Sequence, residues 1–168
     1  MLSANPDLRP TPDRIRETLF NWLQPVIAGA TCLDLFAGSG VLGFEALSRG
    51  AAHVTLVEQN KLGAVMLARQ AAALGSTNHN IVCDEAINYL LTSTAQFDIV
   101  FLDPPFAENL LLKTCETLLN RGHLRPGARV YAESDSEIAI TGPYTVLKQA
   151  RAGNVHYVLL ESSTERKT

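Results

Sequence analysis

Residues 31–43 read Thr-Cys-Leu-Asp-Leu-Phe-Ala-Gly-Ser-Gly-Val-Leu-Gly. The first six are largely apolar around Asp34 and predict a strand, and an apolar helix is predicted to follow and to end near residue 50. Gly38 and Gly40 allow a tight turn between them, and the first turn of a helix leaves backbone N–H groups without partners. The stretch therefore predicts a strand, a glycine turn and a helix, where a ligand could approach the main chain closely.

The glycines also match a cofactor-binding pattern. Gly38, Gly40 and Gly43 fit the spacing G-x-G-x-x-G, which nicotinamide, flavin and adenosylmethionine sites all use and which a purely structural turn can also produce. The next predicted strand, 53–57, ends in Glu58, twenty residues after Gly38. An acid at that distance can accept hydrogen bonds from both hydroxyls of an adenosine ribose. The spacing predicts an adenosine-containing cofactor but leaves its identity open.

A second informative stretch, residues 97–106, reads Phe-Asp-Ile-Val-Phe-Leu-Asp-Pro-Pro-Phe. The apolar run before Asp103 predicts a strand buried on both faces, and the carboxyl ends of such strands are where open α/β sheets bind ligands. Pro104 and Pro105 have no backbone N–H, so the loop offers carbonyl oxygens and a carboxylate but almost no donors. Such a loop suits an amino group, and Phe106 adds a flat surface on which a ring could stack.

The rest of the chain alternates between helical and strand patterns. Helices are predicted at 12–23, 61–74, 86–91 and 108–120, strands at 80–83, 128–132, 145–148 and 155–160, and a turn at 125–127. The last two strands are joined by only three residues, which is too short for a parallel crossover, so they predict an antiparallel hairpin. The fold class is α/β, a doubly wound, mostly parallel seven-stranded sheet with an antiparallel C-terminal hairpin.

The composition is that of a folded globular chain. The 168 residues, 46% of them hydrophobic and 18% charged, predict one domain over 1–168, with flexible ends at 1–8 and 162–168. No apolar run has the length of a membrane span and the start lacks a signal-peptide pattern, so we expect a cytoplasmic protein. The net charge of −3 gives no general support for a polyanionic partner. Cys32, Cys83 and Cys115 lack metal-ligand spacing, so we expect core thiols and no metal.

The glycine turn and the Asp-Pro-Pro-Phe loop occur together in class I adenosylmethionine-dependent methyltransferases, which this chain resembles. Residues 9–23, Arg-Pro-Thr-Pro-Asp-Arg-Ile-Arg-Glu-Thr-Leu-Phe-Asn-Trp-Leu, further resemble the leading helix of the RsmD family. Members of that family methylate the exocyclic N2 of guanine 966 in 16S ribosomal RNA. The resemblance covers about the whole chain from Arg9. It implies a Rossmann-like fold, S-adenosyl-L-methionine as cofactor, and 16S rRNA within the small subunit or an assembly intermediate as partner; we expect a monomer.

The resemblance also implies roles for individual residues. The methionine end of the cofactor would be held by Asp34, Phe36, Ala37, Gly38, Ser39 and Gly40, the ribose by Glu58, and the adenine by the pair Glu85-Ala86. Either Asp84 or Glu85 could accept a hydrogen bond from the adenine amino group while the other caps the next helix. The catalytic loop would consist of Asp103, Pro104, Pro105 and Phe106. From their charge, Arg9, Arg14 and Arg16 are candidates for contacts to RNA phosphates, or form a solvated helix face.

Other functions remain open at this point. The same loop serves N6 methylation of adenine in DNA or RNA, and only the resemblance of the leading helix favours guanine. A nicotinamide-dependent oxidoreductase would share the glycine turn and Glu58, although no Tyr-x-x-x-Lys pair or histidine donor stands out. A ribosome-associated binding module would bind without turnover.

Only eight residues precede Arg9, where RsmD-family members carry a longer basic segment, which implies weaker RNA binding or a shortened form.

Overall fold

The computed structural model describes residues 12–105, 108–140 and 142–163. In these residues the elements alternate as predicted up to the fifth strand, and two consecutive strands follow. They are α1 (Pro12–Leu23), β1 (Thr31–Asp34), α2 (Val41–Ser48), β2 (His53–Glu58), α3 (Lys61–Ala73), β3 (His79–Cys83), α4 (Ala86–Thr92), β4 (Phe97–Leu102), α5 (Glu108–Asn120), β5 (Leu124–Ser134), β6 (Tyr144–Ala152) and β7 (Val155–Ser162).

The strands form one seven-stranded sheet in the order β3-β2-β1-β4-β5-β7-β6. The first five pair in parallel, and β7 runs antiparallel to both β5 and β6. This confirms the predicted fold class. Because β1 lies between β2 and β4, the sheet has its topological switch point at the carboxyl end of β1, and ligands of open α/β sheets bind at such points.

Helices cover both faces of the sheet. Buried side chains of α1, α2 and α3 belong to one hydrophobic cluster, and those of α4 and α5 belong to another. Strand β4 serves both clusters because its side chains alternate: Ile99 and Phe101 point to the first, and Val100 and Leu102 to the second. All four side chains are fully buried, and each contributes about 1.5–3 kcal/mol of hydrophobic free energy. The strand that precedes Asp103 is therefore rigidly held.

Helix α1 lies on the same face as α2 and α3. Leu19, Phe20 and Leu23 are fully buried, and Trp22 stacks on Tyr157 of β7 with ring centroids 5.3 Å apart. Burial of Leu19 and Leu23 confirms the apolar side predicted for this helix. The packing holds α1 against the half of the sheet that contains β4, β5 and β7.

Three local predictions were wrong in detail. The turn predicted at 125–127 lies inside β5, where a bulge separates the pair Phe97–Leu124 from the pair Ile99–Arg129. Cys83 is exposed, unlike the buried Cys32 and Cys115, because it ends the edge strand β3. Ser162, assigned to the flexible tail, is the last residue of β7 and is paired with β6. No helix in the described residues has the length and apolar character needed to cross a membrane.

Candidate active site

A cavity of about 490 Å³ opens at the carboxyl edge of the sheet. Five acids line it: Asp34 at the end of β1, Glu58 at the end of β2, Glu85 after β3, Asp103 after β4 and Glu133 near the end of β5. These strand ends meet because parallel strands present their carboxyl ends at one edge of a sheet. The cavity thus combines a topological switch point with an acidic wall.

The glycine turn shapes the floor of the cavity. Gly40 adopts a left-handed conformation with φ 79° and caps α2, and its N–H donates to the carbonyl oxygen of Ala37 at 2.8 Å. A Cβ at Gly40 would lie 2.5 Å from the ring of Phe44, so the turn can be this tight only without a side chain. Gly38 also has a positive φ, 55°, but a Cβ there would meet nothing within 4 Å. Gly40 is therefore structural, and Gly38 faces the cavity.

Asp34 carries a buried carboxyl group at the centre of the site. The residue is 3% exposed, and its Oδ2 accepts a hydrogen bond from the N–H of Gly43 at 3.0 Å. Burial raises the pKa of this carboxyl from 3.8 to about 7, and the negative charges of Asp103 and Glu58 add to the increase. The hydrogen bond from Gly43 opposes it. A cationic ligand beside Asp34 would offset the repulsion and favour the ionised form.

The β2 side of the cavity presents Glu58. Asn60 caps α3 by accepting a hydrogen bond from the N–H of Gly63 at 3.0 Å, so α3 begins immediately after Glu58. A Cβ at Gly63 would lie 3.0 Å from Cγ of Glu58. The glycine therefore leaves room for the Glu58 side chain between the strand end and the helix.

Both acids before α4 accept hydrogen bonds at the start of the helix. Glu85 caps α4, accepting from the N–H groups of Ile87 at 3.0 Å and Asn88 at 2.9 Å. Asp84 accepts from the side-chain amide of Asn88 at 2.9 and 3.0 Å and from the N–H of Glu85 at 2.8 Å. Only Glu85 of the two lines the cavity, together with Ala86. The position favours Glu85 as the acid nearer a bound ligand.

The half of the cavity at β4 and β5 has a different lining. Asp103 and Pro105 contribute from the loop after β4, while Pro104 is buried. From β5, Tyr131 donates its hydroxyl hydrogen to Oε2 of Glu133 at 2.9 Å. Burial of Tyr131 raises its pKa, and the negative charges of Glu133 and Asp103 raise it further. This half carries acceptors and a buried aromatic ring.

Sequence and structure comparisons identify the family. The model of the family described as conserved hypothetical protein 95 matches residues 1–161. The chain is 43% identical over 164 residues to ribosomal RNA small subunit methyltransferase D of Escherichia coli strain K12, covering 96% of this chain and 83% of that protein. It is 42% identical over 161 residues to the protein of the same name from Haemophilus influenzae, covering 92% and 83%. The chain belongs to the RsmD family.

The fold comparison agrees. The solved structure of the methyltransferase candidate yhhF of Escherichia coli superposes with a TM-score of 0.87 at 39% identity, covering 94% of this chain and 90% of that chain. As a member of the RsmD family, the chain is a methyltransferase by homology. The predicted membership of the RsmD family is thereby confirmed.

Most residues predicted for an RsmD-family site come together in the cavity. Its lining includes Arg16, Asp34, Phe36, Ala37, Gly38, Ser39, Glu58, Glu85, Ala86, Asp103 and Pro105. Of the predicted residues that the structure describes, Arg14, Gly40, Asp84 and Pro104 do not line it. Arg9 and Phe106 lie outside the described residues. Arg16 lies at the cavity from α1 and pairs with Asp13 at 2.8 Å.

Two functional candidates of this RsmD-family chain, Tyr131 and Glu133, were not predicted from the sequence. Both lie on the strand beside the Asp-Pro-Pro-Phe loop, and both line the cavity. An acid at the carboxyl end of a strand was a usable signal, but only the strand order shows which strand lies next to β4. Within the described part of the chain, no group of His, Cys, Asp and Glu side chains could hold a metal ion.

Proposed function

We propose that this chain transfers a methyl group from S-adenosylmethionine to the exocyclic N2 amine of a guanine in small-subunit (16S) ribosomal RNA. The relatives that cover most of the chain are named ribosomal RNA small subunit methyltransferase D, which supports the substrate class. The single observation that carries the proposal is the cavity, which is lined both by the glycine turn and by the donor-poor loop after β4. We further propose that the enzyme acts as a cytoplasmic monomer on the small subunit or an assembly intermediate.

The acids of the β1 and β2 ends fit the proposed cofactor. The cofactor supplies an electrophilic methyl group on a positively charged sulfonium, next to an ammonium group. Asp34 and Glu58 place negative charge where such a cation would lie, and the half-buried Glu58 carboxylate can accept from both ribose hydroxyls. Glu85 and Ala86 lie at the β3 side of the cavity, where the adenine would extend. The methionine end would rest on Phe36, Ala37, Gly38 and Ser39.

The loop after β4 supplies the chemistry at the amine. An exocyclic amine is a poor nucleophile because its lone pair is delocalised into the ring. Asp103 would accept one N–H and the carbonyl oxygen of Pro104 the other, which localises the lone pair toward the methyl group. As the N–CH3 bond forms and the S–CH3 bond breaks, the thioether S-adenosylhomocysteine would leave, and the surplus proton of the amine would pass to the Asp103 carboxylate. Phe106 would stack on the base. The main contribution is alignment of the amine with the methyl group and the sulfur.

The substrate base must leave its stack to reach this site. In a folded RNA the proposal therefore requires a flipped or loop guanine. Arg16 lies at the cavity on α1, where its guanidinium could contact an RNA phosphate beside the extruded base.

The test is incorporation of labelled methyl groups from S-adenosylmethionine into small-subunit particles that lack the modification. The wild-type chain should produce N2-methylguanosine in 16S RNA, and Asp103→Ala should reduce the rate about 100-fold or more because the amine is no longer aligned. Asp135→Ala, which removes an exposed acid after β5, serves as the matched control and should leave the rate unchanged.

Mapping the product decides between the alternatives. N6-methyladenosine in place of N2-methylguanosine would refute the proposed target but keep the enzyme class. No methyl incorporation, together with calorimetric binding of NAD instead of S-adenosylmethionine, would refute the methyltransferase proposal itself.

A further inference from the structure

We propose that Glu133 is a second base-recognition residue, which accepts a hydrogen bond from N1–H of the target guanine and thereby selects guanine over adenine. The inference rests on the proposed function, since it concerns the substrate of the same site. Glu133 lies on β5, beside the loop that follows β4.

The register of the sheet places Glu133 next to Asp103. Leu102 pairs with Ala132 in the parallel ladder between β4 and β5, so the residues that follow them, Asp103 and Glu133, are neighbours across the two strands. Neighbouring strands lie about 4.7–4.9 Å apart, and residues level with one another point to the same face. Both acids line the cavity. The site therefore presents two carboxylates side by side.

Tyr131 fixes the orientation of the Glu133 carboxylate. Its hydroxyl donates to Oε2 of Glu133 at 2.9 Å, and its ring is fully buried between Phe101 and Tyr157, with centroid separations of 6.5 and 6.4 Å. Glu133 itself is only 8% exposed. A carboxylate has about four acceptor positions, so Glu133 can accept from Tyr131 and from an N–H of a substrate at the same time.

Glu133 belongs to the substrate half of the cavity. The sheet order β2-β1-β4-β5 puts β5 two strands away from the glycine turn after β1. The groups proposed to hold the cofactor lie at the ends of β1, β2 and β3, whereas Asp103 lies between them and Glu133. A base whose amine reaches Asp103 therefore extends toward Glu133.

Two adjacent carboxylates match one edge of guanine and not of adenine. The Watson–Crick edge of guanine carries the N2 amine and, beside it, N1–H, so it presents donors to both acids. Adenine carries its N6 amine beside an unprotonated N1, whose lone pair would face the negative charge of Glu133. Asp103 can accept from either amine, so discrimination between the bases falls to Glu133.

The test compares guanine with 2-aminopurine, which keeps the exocyclic 2-amino group but has an unprotonated N1. Small-subunit RNA carrying either base at the methylated position is prepared by ligation and assembled into particles. The wild-type chain should methylate guanine about 10- to 100-fold faster, as expected for one hydrogen bond to a charged acceptor. In Glu133→Gln, kcat/KM for guanine should fall by a similar factor. The ratio of the rates of Glu133→Gln on guanine and on 2-aminopurine should approach one, because the glutamine side-chain amide can donate a hydrogen bond to the unprotonated N1 of 2-aminopurine.

Glu161→Gln is the matched control. It makes the same chemical change on β7, where Glu161 pairs with Arg129 at 2.9 Å outside the cavity lining, and should leave the preference for guanine unchanged. Tyr131→Phe tests a purely structural role. If Glu133 only held Tyr131 in place, Glu133→Gln and Tyr131→Phe would lose methylation rate equally, and both would keep the wild-type preference for guanine over 2-aminopurine. That result would overturn the proposal.

The outcomes separate this inference from the proposed function. No methyl transfer by the wild-type chain would refute the function itself. Transfer to guanine by Glu133→Gln with an unchanged preference over 2-aminopurine would overturn only the role of Glu133. If Glu133→Gln does not fold, the wild-type chain still tests the proposal. Equal rates of the wild-type chain on guanine and 2-aminopurine would exclude recognition of N1–H.

Discussion

Replacement of Asp34 by asparagine should remove much of the pH dependence of stability of the ligand-free protein. The wild-type carboxyl is buried, and its pKa rises from 3.8 to about 7 on folding. Asparagine has nearly the same shape, and its side-chain oxygen can keep the hydrogen bond from Gly43. The variant therefore isolates the effect of the charge.

The sign follows from proton binding. Between pH 3.8 and about 7 the folded wild-type protein keeps a proton on Asp34 that the unfolded chain has lost, so its stability falls as pH rises. The stabilisation is fully present below pH 3.8 and is lost above about pH 7. The free energy of unfolding falls by about 1.36 kcal/mol for each pH unit, which amounts to about 4 kcal/mol between pH 3.8 and about pH 7.

The assay is urea denaturation at several pH values without ligand, with wild type and Asp34→Asn measured in parallel. Other carboxyl groups titrate in both proteins, so the informative quantity is the difference between their free energies of unfolding. The difference should grow in favour of the variant by about 3 kcal/mol between pH 5 and pH 8. Asp135→Asn, at an exposed position, provides the control and should track the wild type.

A further variant tests the cause. Because the charge of Asp103 raises the pKa of Asp34, Asp103→Asn should lower that pKa, so the pH-dependent loss of stability should end at a lower pH and be smaller in total. A difference between wild type and Asp34→Asn that stays constant from pH 5 to pH 8 would refute the reasoning, since it would mean that Asp34 is ionised throughout that range.

Three other substitutions test the packing of the fold. Gly40→Ala forces a side chain into φ 79° and within 2.5 Å of the Phe44 ring, so it should lower the free energy of unfolding by about 2–4 kcal/mol. Gly38→Ala also has a positive φ but leaves room for the added Cβ, so it should cost only about 1 kcal/mol. Equal losses for the two variants in urea denaturation would show that backbone strain alone matters. His123 is fully buried, with its ring nitrogens 2.7 Å from the carbonyl oxygens of Leu90 and Ala95. His123→Leu should therefore cost about 2–4 kcal/mol in the same assay, and a loss below about 1 kcal/mol would contradict a bridging role.

The successes of sequence-based prediction are local. The apolar run before Asp103 and the alternation of helical and strand patterns depend on residues close together in the chain, and the structure confirms the elements they predict. The turn at 125–127 was misassigned for the opposite reason. It lies inside a strand because Leu124 pairs with Phe97 of β4, a contact that local pattern does not contain.

The sequence by itself determined the α/β class, the glycine turn, the loop after β4 and the family, because apolar periodicity, glycine and proline act on the backbone where they stand. Only the tertiary structure decided that Glu85 rather than Asp84 lines the cavity, that the pKa of Asp34 lies near 7, and that Glu133 stands beside Asp103. Those properties depend on burial and on strand order. Both arise from contacts between segments that are distant in the chain, so no local pattern carries them.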